Sequence, residues 1–559
     1  MPEPTPERAA EYARQAPKSI LELQQFQSIS RSKGEDKEGR VGSARLVNLN
    51  PHINTWFVLS LGWDGQPVET EYHLENPDPR RQQVRLAEDF RQGLVIKTDD
   101  GQTRCDLWSG DSLEQARRTG LPFAPLCNAR LFLRNPTTGR RSRLESLTEF
   151  LRDNVWGGEE IVGFVKRGFF EDAFLERGVP AGATHCPVPA SRAPAPARVR
   201  DADQGIAVTP ENLGIVLEET RGSMVLGCWY PVAGVPGIHL STYQARSAPP
   251  DVFTRHRERL KALDSVEARA LNYLVAFDLK AFDLHFELGT DHPRLGWSKR
   301  ALPAVRDSRL AGPDGFDRAA PLVNTGMVAP RSAARTVATF TGGFKRQHSA
   351  FRYGALANRN RGSHYGFISH GVVFSKPQPG LSTLLVLKDG SVRIKTWAET
   401  DNELLGVIRH ARQNGVPIVR ADPETGDAVP GELVSRWGPG NWSGSAEGKL
   451  RTLRAGACIQ ETSQGRFLIY GYFSSATPSA MARVFGAYGC DEAIHLDMNA
   501  LEHSYLAVYS RHQDRMSVQH LITGMEVLDK ESRGELVPRF LGFPDNRDFF
   551  YLVRRAARP

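Results

Sequence analysis

The chain has 559 residues, a net charge of +7, and 40% hydrophobic, 24% charged and 9% aromatic residues. That balance excludes a disordered or fibrous chain, and the length predicts two or three domains. No run approaches eighteen uninterrupted apolar residues, so no membrane span is expected. The opening MPEPTPERAAEYARQ has no secretory signal, which makes a cytoplasmic location the default expectation.

Residues 1–40 are polar and charged and read as a leader, helical or loose. From 41 to 178, short β-like runs alternate with turn signals. TWFVLSLGWDGQPVETEYHL turns at Asp64-Gly65, GLVIKTDDGQTRCDLW at Asp100-Gly101, and ARLFLRNPTTGR at Pro-Thr-Thr-Gly. This predicts a β-rich accessory domain with one helix near 146–154. Residues 179–205 are rich in Pro and Ala, lose all periodicity and read as a linker.

From 206 to 559, strands and helices are expected to alternate. LNYLVAFDLKAFDLHFEL is strand-like, and LLVLKDGSVRIKTW is a hairpin turning at Asp389-Gly390. Thr400-Asp-Asn-Glu403 reads as a capping box for a helix carrying Leu404, Ile408 and Ala411. RFLIYGYFSS reads as a buried strand, and Thr477-Pro478 opens a helix that Gly489 ends. EAIHLD is the next strand, so AIHLDMNALEHS spans a strand end and the following loop. The expected class is α+β: a C-terminal domain of mixed β-sheet and helix behind a β-rich accessory domain.

Six cysteines, at 105, 127, 186, 228, 458 and 490, form no CxxC pair or metal-finger spacing. Buried free thiols are the plain expectation, with a Cys458–Cys490 disulfide the alternative. Residues 318–388 contain no Asp or Glu but ten Lys or Arg. A solvated face and an anion site are both open there, because no carboxylate offsets the cations. No nucleic-acid-binding motif is present.

No GxGxxG follows a strand, and GxxxxGK[ST], HExxH and GxSxG are absent, which argues against common dinucleotide, P-loop, zincin and α/β-hydrolase sites. Three stretches remain. TFTGGFKRQH brings Thr341, Gly342, Gly343, Phe344, Lys345, Arg346 and His348 together. Its glycine pair lets backbone amides approach a ligand closely, or makes only a tight turn. PGNWSGSAEGKLRTLRAG supplies Trp442, which can stack on a sugar or simply pack, with Arg451 and Arg454. AIHLDMNALEHS supplies His495, Asp497, Asn499, Glu502 and His503. Asp497 can also cap a loop, Glu502 and His503 can be surface residues, and His495 can be structural. No cofactor is predicted. A divalent metal on His495, Asp497 and His503 is chemically plausible but matches no standard spacing.

The order of these stretches resembles the phosphodiester glycosidase family, which includes the enzyme that uncovers mannose 6-phosphate by removing N-acetylglucosamine. VATFTGGF resembles its Asn-Gly-Gly-Phe motif, STLLVLKDGSVRIKTW its hairpin, RTLRAGACIQETSQGRFLIYGYFSS its Arg-Thr element, and MARVFGAYGCDEAIHLD its helix and strand. YLVAFDLKAFDLHFELGTDHP resembles its opening strands. The resemblance covers roughly 271–509. It departs at Thr341, where the family has Asn, and at MNALEH, where the family has glycines and serine.

The resemblance implies a hydrolase cleaving a sugar phosphodiester or related anionic glycan at the anomeric carbon. Asp497, Glu502 and His495 would be catalytic. Thr341, Gly342, Gly343, Phe344, Lys345, Arg346, His348, Trp442, Arg451, Arg454, Asn499 and His503 would bind substrate. It also implies an extracytoplasmic role. The alternative is a non-catalytic protein of the same fold holding an anionic glycan or partner. A carbohydrate or sugar-phosphate ligand is expected, and no nucleic acid.

Overall fold

A computed structural model describes residues 28–139, 172–183, 185–187, 193–218, 220, 222–290, 325–343, 366–375, 377–436, 451–513, 515–532 and 534–555. The protein is β-rich, with 44% strand and 12% helix, so the α+β expectation is corrected. The region around the predicted capping box shows why. Glu399–Val407 is a 3-10 segment whose start is capped by Ala398 N–H donating to Asp401 Oδ2 at 2.7 Å. The chain then extends as the strand Ile408–Gln413, paired with Ser382–Leu387. The cap therefore falls two residues before the Thr400–Glu403 box read from the sequence. The spacing of Leu404, Ile408 and Ala411 suited a helix, but pairing with a neighbouring strand satisfied the same backbone groups and buried both faces.

An N-terminal module holds a six-stranded sheet, ordered Ser28–Glu35, Val41–Asn48, Trp56–Trp63, Thr70–Glu75, Leu131–Leu133 and Ala124–Leu126. Its edge strand thus lies inside the stretch read as a leader. A three-stranded sheet of Gln83–Leu86, Leu94–Thr98 and Gly101–Cys105 accompanies it. The helix predicted near 146–154 lies outside the described residues. Within the expected linker, Gly178–Ala183 is a strand that pairs with Ile206–Pro210.

Three larger sheets follow. The eight-stranded sheet centres on Leu271–Asp278, Gly465–Ala476, Thr452–Thr462 and Ala493–Met498. A five-stranded sheet runs Phe282–Glu287, Phe549–Arg554, Thr336–Thr341, Leu506–His512 and Arg515–His520. Another runs Val372–Ser375, Phe367–Ser369, Ile408–Gln413, Ser382–Leu387 and Val392–Thr396. The stretch LNYLVAFDLKAFDLHFEL divides into two strands that enter different sheets.

Leu271–Asp278 is buried on both faces, which explains its near-continuous apolar sequence. Tyr273, Val275 and Phe277 face the core between sheets, where Phe340 stacks on Phe277 with centroids 6.2 Å apart and meets Tyr470 at 5.3 Å. Leu274 and Ala276 face a second core under the helix Pro478–Ala487. Each buried aromatic or aliphatic side chain contributes about 1.5–3 kcal/mol. The helix lies so close that a Cβ on Gly456 would stand 2.8 Å from Met481 Cε.

All six cysteines are paired, as Cys105–Cys127, Cys186–Cys228 and Cys458–Cys490, with Cα–Cα separations of 5.6, 5.5 and 5.9 Å. The expectation of free thiols is therefore wrong. The partners lie 22, 42 and 32 residues apart, so the fold rather than local spacing brings them together. No helix among the described residues is long and apolar enough to cross a membrane.

Candidate functional site

Strand ends from all three large sheets meet at a buried polar cluster. Asp497 stands near the end of Ala493–Met498 and is only 4% exposed. Its Oδ1 accepts the Met498 N–H at 2.8 Å, and its Oδ2 accepts from Arg547 Nη1 at 2.5 Å. A carboxylate this deeply buried needs such a counter-ion, because desolvation otherwise costs several kcal/mol. Arg547 belongs to the charge-dense run Asp545–Asn–Arg–Asp548, which precedes the strand Phe549–Arg554.

The same run supplies two further ion pairs. Asp548 accepts from Arg412 Nε at 3.0 Å and from Gly289 N–H at 3.0 Å. Asp545 takes both Arg539 Nε, at 2.8 Å, and Arg539 Nη2, at 3.1 Å. Arg539 Nη1 then donates to the Glu502 carbonyl at 2.7 Å, which ties the 501–503 loop to this scaffold. Burial pulls the Arg412 guanidinium below its ordinary range, while Asp548 and Asp497 act against that shift.

Thr341, Gly342 and Gly343 lie against this scaffold. Thr341 Oγ1 donates to the His503 carbonyl at 2.6 Å, and Gly342 N–H donates to the Asp548 carbonyl at 2.7 Å. Gly343 has φ +146°, and a Cβ there would stand 3.2 Å from both Arg412 Nη2 and the Asn414 amide. Glycine is thus needed for both conformation and close approach. Asn414 donates through Nδ2 to the His495 carbonyl at 2.6 Å and also to the Leu496 carbonyl. Its buried Oδ1 has no hydrogen-bond partner among the described residues.

The 499–503 loop is held by the strand Thr452–Thr462 as well as by its own residues. Asn499 adopts φ +79°, donates its N–H to the Leu453 carbonyl at 2.8 Å, and accepts from Thr452 Oγ1 at 3.1 Å. His503 Nδ1 lies 2.5 Å from the Met498 carbonyl and so carries a proton that it donates there. Its Nε2 stands 3.3 Å from Glu502 Oε1. Burial acts to raise the Glu502 carboxyl, but the His503 hydrogen bond and the charges of His503, Arg547 and Arg539 outweigh it and hold it far below the usual carboxylate range.

The predicted site residues therefore separate into three groups. Thr341, Gly342, Gly343, Asp497, Asn499, Glu502 and His503 come together. His495 and Arg454 form a neighbouring buried pair, with His495 Nε2 3.3 Å from Arg454 Nη1. Burial, and then Arg454, push the His495 imidazole well below its ordinary range. Burial likewise pulls Arg454 down to about 9. Facing a guanidinium, His495 is poorly placed as a ligand in the metal alternative, and no group of three or more His, Cys, Asp or Glu suited to a metal occurs among the described residues. Arg451 is held by Asp172 at 2.6 Å and Asp264 at 3.0 Å, with Ser475 also on Asp172.

Phe344, Lys345, Arg346, His348 and Trp442 lie outside the described residues, as does much of the acid-free basic window. Sequence reasoning missed Arg412, Asn414, Arg539, Asp545, Arg547 and Asp548. For Asp545, Arg547 and Asp548 the local signal was the run DNRD standing directly before FFYLV. Two cavities, of about 300 and 520 Å³, lie beside the Cys186–Cys228 and Cys105–Cys127 disulfides, and no residue of the Asp497 cluster lines either.

No protein-family model matches the chain. No curated protein matches it either. One solved structure, of a presumed exported protein from Burkholderia pseudomallei, aligns at 11% identity over 51% of this chain and 74% of its own, with a TM-score of 0.19. A likeness that loose carries no argument about fold or function.

Proposed function

We propose that the chain is a hydrolase that cleaves a sugar phosphodiester or related anionic glycan at the anomeric carbon. The observation supporting this reading is the meeting of Asp497, the Gly342-Gly343 turn and the Glu502–His503 pair at one cluster of strand ends. In the proposed reaction, water forms a bond to the anomeric carbon as the bond to the phosphate oxygen breaks, and the electron pair leaves with the phosphate. The Glu502–His503 pair holds an exchangeable proton that it can give to the departing oxygen and regain from the attacking water. Asp497, ion-paired to Arg547, supplies negative charge toward the oxocarbenium-like centre. The role of Lys345 and Arg346 as phosphate ligands rests on the sequence alone.

The test is release of free sugar from a panel of sugar 1-phosphodiesters, with and without a chelator. Asp497→Asn should abolish release with the near-UV circular dichroism unchanged, and Glu502→Gln should lower it about 100-fold or more. Full activity in Asp497→Asn would sink the reading. In the alternative of a non-catalytic binding protein, as in the hydrolase, the anion must be held by other groups, because Arg412, Arg451, Arg539 and Arg547 are each already paired with a carboxylate. That alternative predicts salt-sensitive glycan binding with no turnover. An extracytoplasmic location is part of the proposal, supported by three disulfides, which persist in oxidising compartments.

A further inference from the structure

The N-terminal module meets the C-terminal sheets along a seam of imidazoles that the Asp497 cluster does not use. Trp56, from the module, stands edge-on to His370 with ring centroids 6.0 Å apart. His370 is edge-on to His410 at 5.0 Å, His410 is edge-on to His285 at 5.8 Å, and His285 stacks on Tyr551 at 5.0 Å. His370, His410, His285 and Tyr551 come from separate strands and turns of the C-terminal sheets, and Trp56 is the member of the row that the module supplies, so the Trp56–His370 contact exists only while the module is docked.

The hydrogen bonds define the protonation. His370 Nε2 and the Tyr551 hydroxyl both reach Glu287 Oε1, at 2.8 and 3.3 Å. His410 Nδ1 accepts the His370 backbone N–H at 3.3 Å, which puts the proton of a neutral His410 on Nε2. That Nε2, His285 Nδ1 and Trp56 Nε1 are buried with no hydrogen-bond partner among the described residues. Neither His285 nor His410 therefore has a carboxylate bonded to it that would stabilise an imidazolium.

We infer that this seam is an acid-sensitive clasp: uncharged imidazoles at His285 and His410 let the module dock through Trp56, and their protonation in mildly acidic solution loosens it. Burial, followed by the charges of Arg409, His370 and Arg335, holds His285 well below its ordinary range; burial, His370, Arg409 and His285 do the same to His410. Groups whose folded values are depressed in this way contribute stability that is intact above the unfolded histidine value of about 6.5 and is lost as pH falls below it. The other charges at the seam are Glu287, Asp283 and Arg80 near Arg409, and Glu75, which Arg134 holds. Burial raises Glu75 despite Arg134 and His370, so this carboxyl favours the docked state on acidification and opposes the two imidazoles.

Hydrogen exchange on the full chain at pH 7.5 and 5.5, corrected for intrinsic rates, tests the clasp. Protection of Trp56–Trp63 and Ile408–Gln413 should fall at least tenfold at pH 5.5, while Gly465–Ala476 stays protected. The double variant His285→Gln/His410→Gln should keep seam protection at both pH values. Equal wild-type protection at both pH values would overturn the inference, as would a folded double variant that loses protection as the wild type does. Should the double variant fail to fold, Glu75→Gln decides with the wild type: because Glu75 opposes the imidazoles, the loss of protection at pH 5.5 should persist or grow in this variant, and a loss that disappears would overturn the inference.

Discussion

The Asp497 cluster and the histidine seam solve the same problem in opposite ways. Both bury ionisable side chains in a dry interior. In the cluster every carboxylate of the scaffold meets an arginine: Asp497 with Arg547, Asp545 with Arg539, and Asp548 with Arg412. In the seam, His285 and His410 have aromatic neighbours and remain uncharged. Paired charges tolerate changes of pH but not the loss of a partner. Neutralised groups tolerate the loss of a neighbour but not a change of pH.

The sharpest way to break this contrast is Arg547→Met. It should leave Asp497 buried without its counter-ion and cost about 3–5 kcal/mol in urea unfolding. Replacing both partners, as Arg547→Met/Asp497→Leu, should recover much of that loss. A single variant as stable as the wild type would mean that the pair is not the buried ion pair described.

Glu492 extends the comparison to a carboxyl handled in the seam's way. Burial raises it to about 7 against hydrogen bonds from Ala421 and Thr396 and the charge of Arg420. Because the folded value lies above the unfolded one, its contribution is complete below about pH 4.5 and is lost as pH rises through about 7. Stability curves from pH 4.5 to 8 should show a decline on the order of 2 kcal/mol that Glu492→Gln removes. This slope has the opposite sign to that of the seam histidines. An identical pH profile in the glutamine variant would show that Glu492 is not the titrating group.

A smaller effect separates uncharged supports of the cluster from its ion pairs. Thr341→Val keeps the shape of the strand end but removes the hydrogen bond to the His503 carbonyl. It should cost about 1 kcal/mol, readable as a shift in melting temperature. A loss as large as that of Arg547→Met would mean that the 501–503 loop depends on this bond as much as on its charges.

Legibility from sequence followed the range of the interactions. The hairpin of Ser382–Leu387 and Val392–Thr396, the helix Pro478–Ala487 and the strand ending at Asp497 were readable, because turns, caps and periodicity are written in adjacent residues. The glycine pair and the loop residues Asn499, Glu502 and His503, read as site residues, do lie beside Asp497 in space. Arg454 and His495 were drawn from the same stretches but form a separate pair. Arg451 carries its charge to Asp172, 279 residues away, which no local pattern announces.

The sequence by itself determined where strands end, which turns close hairpins, and that polar side chains gather after Leu496. Only the tertiary structure decided which charges cancel. Arg547 reaches Asp497 across 50 residues and Arg412 reaches Asp548 across 136. It likewise decided that Ile408–Gln413 is a strand, that six cysteines pair, and that three histidines share a seam with Trp56. The physical reason is common to all of these: burial makes an unpaired charge, thiol or amide costly or reactive, and the partner that resolves it is set by how the sheets pack.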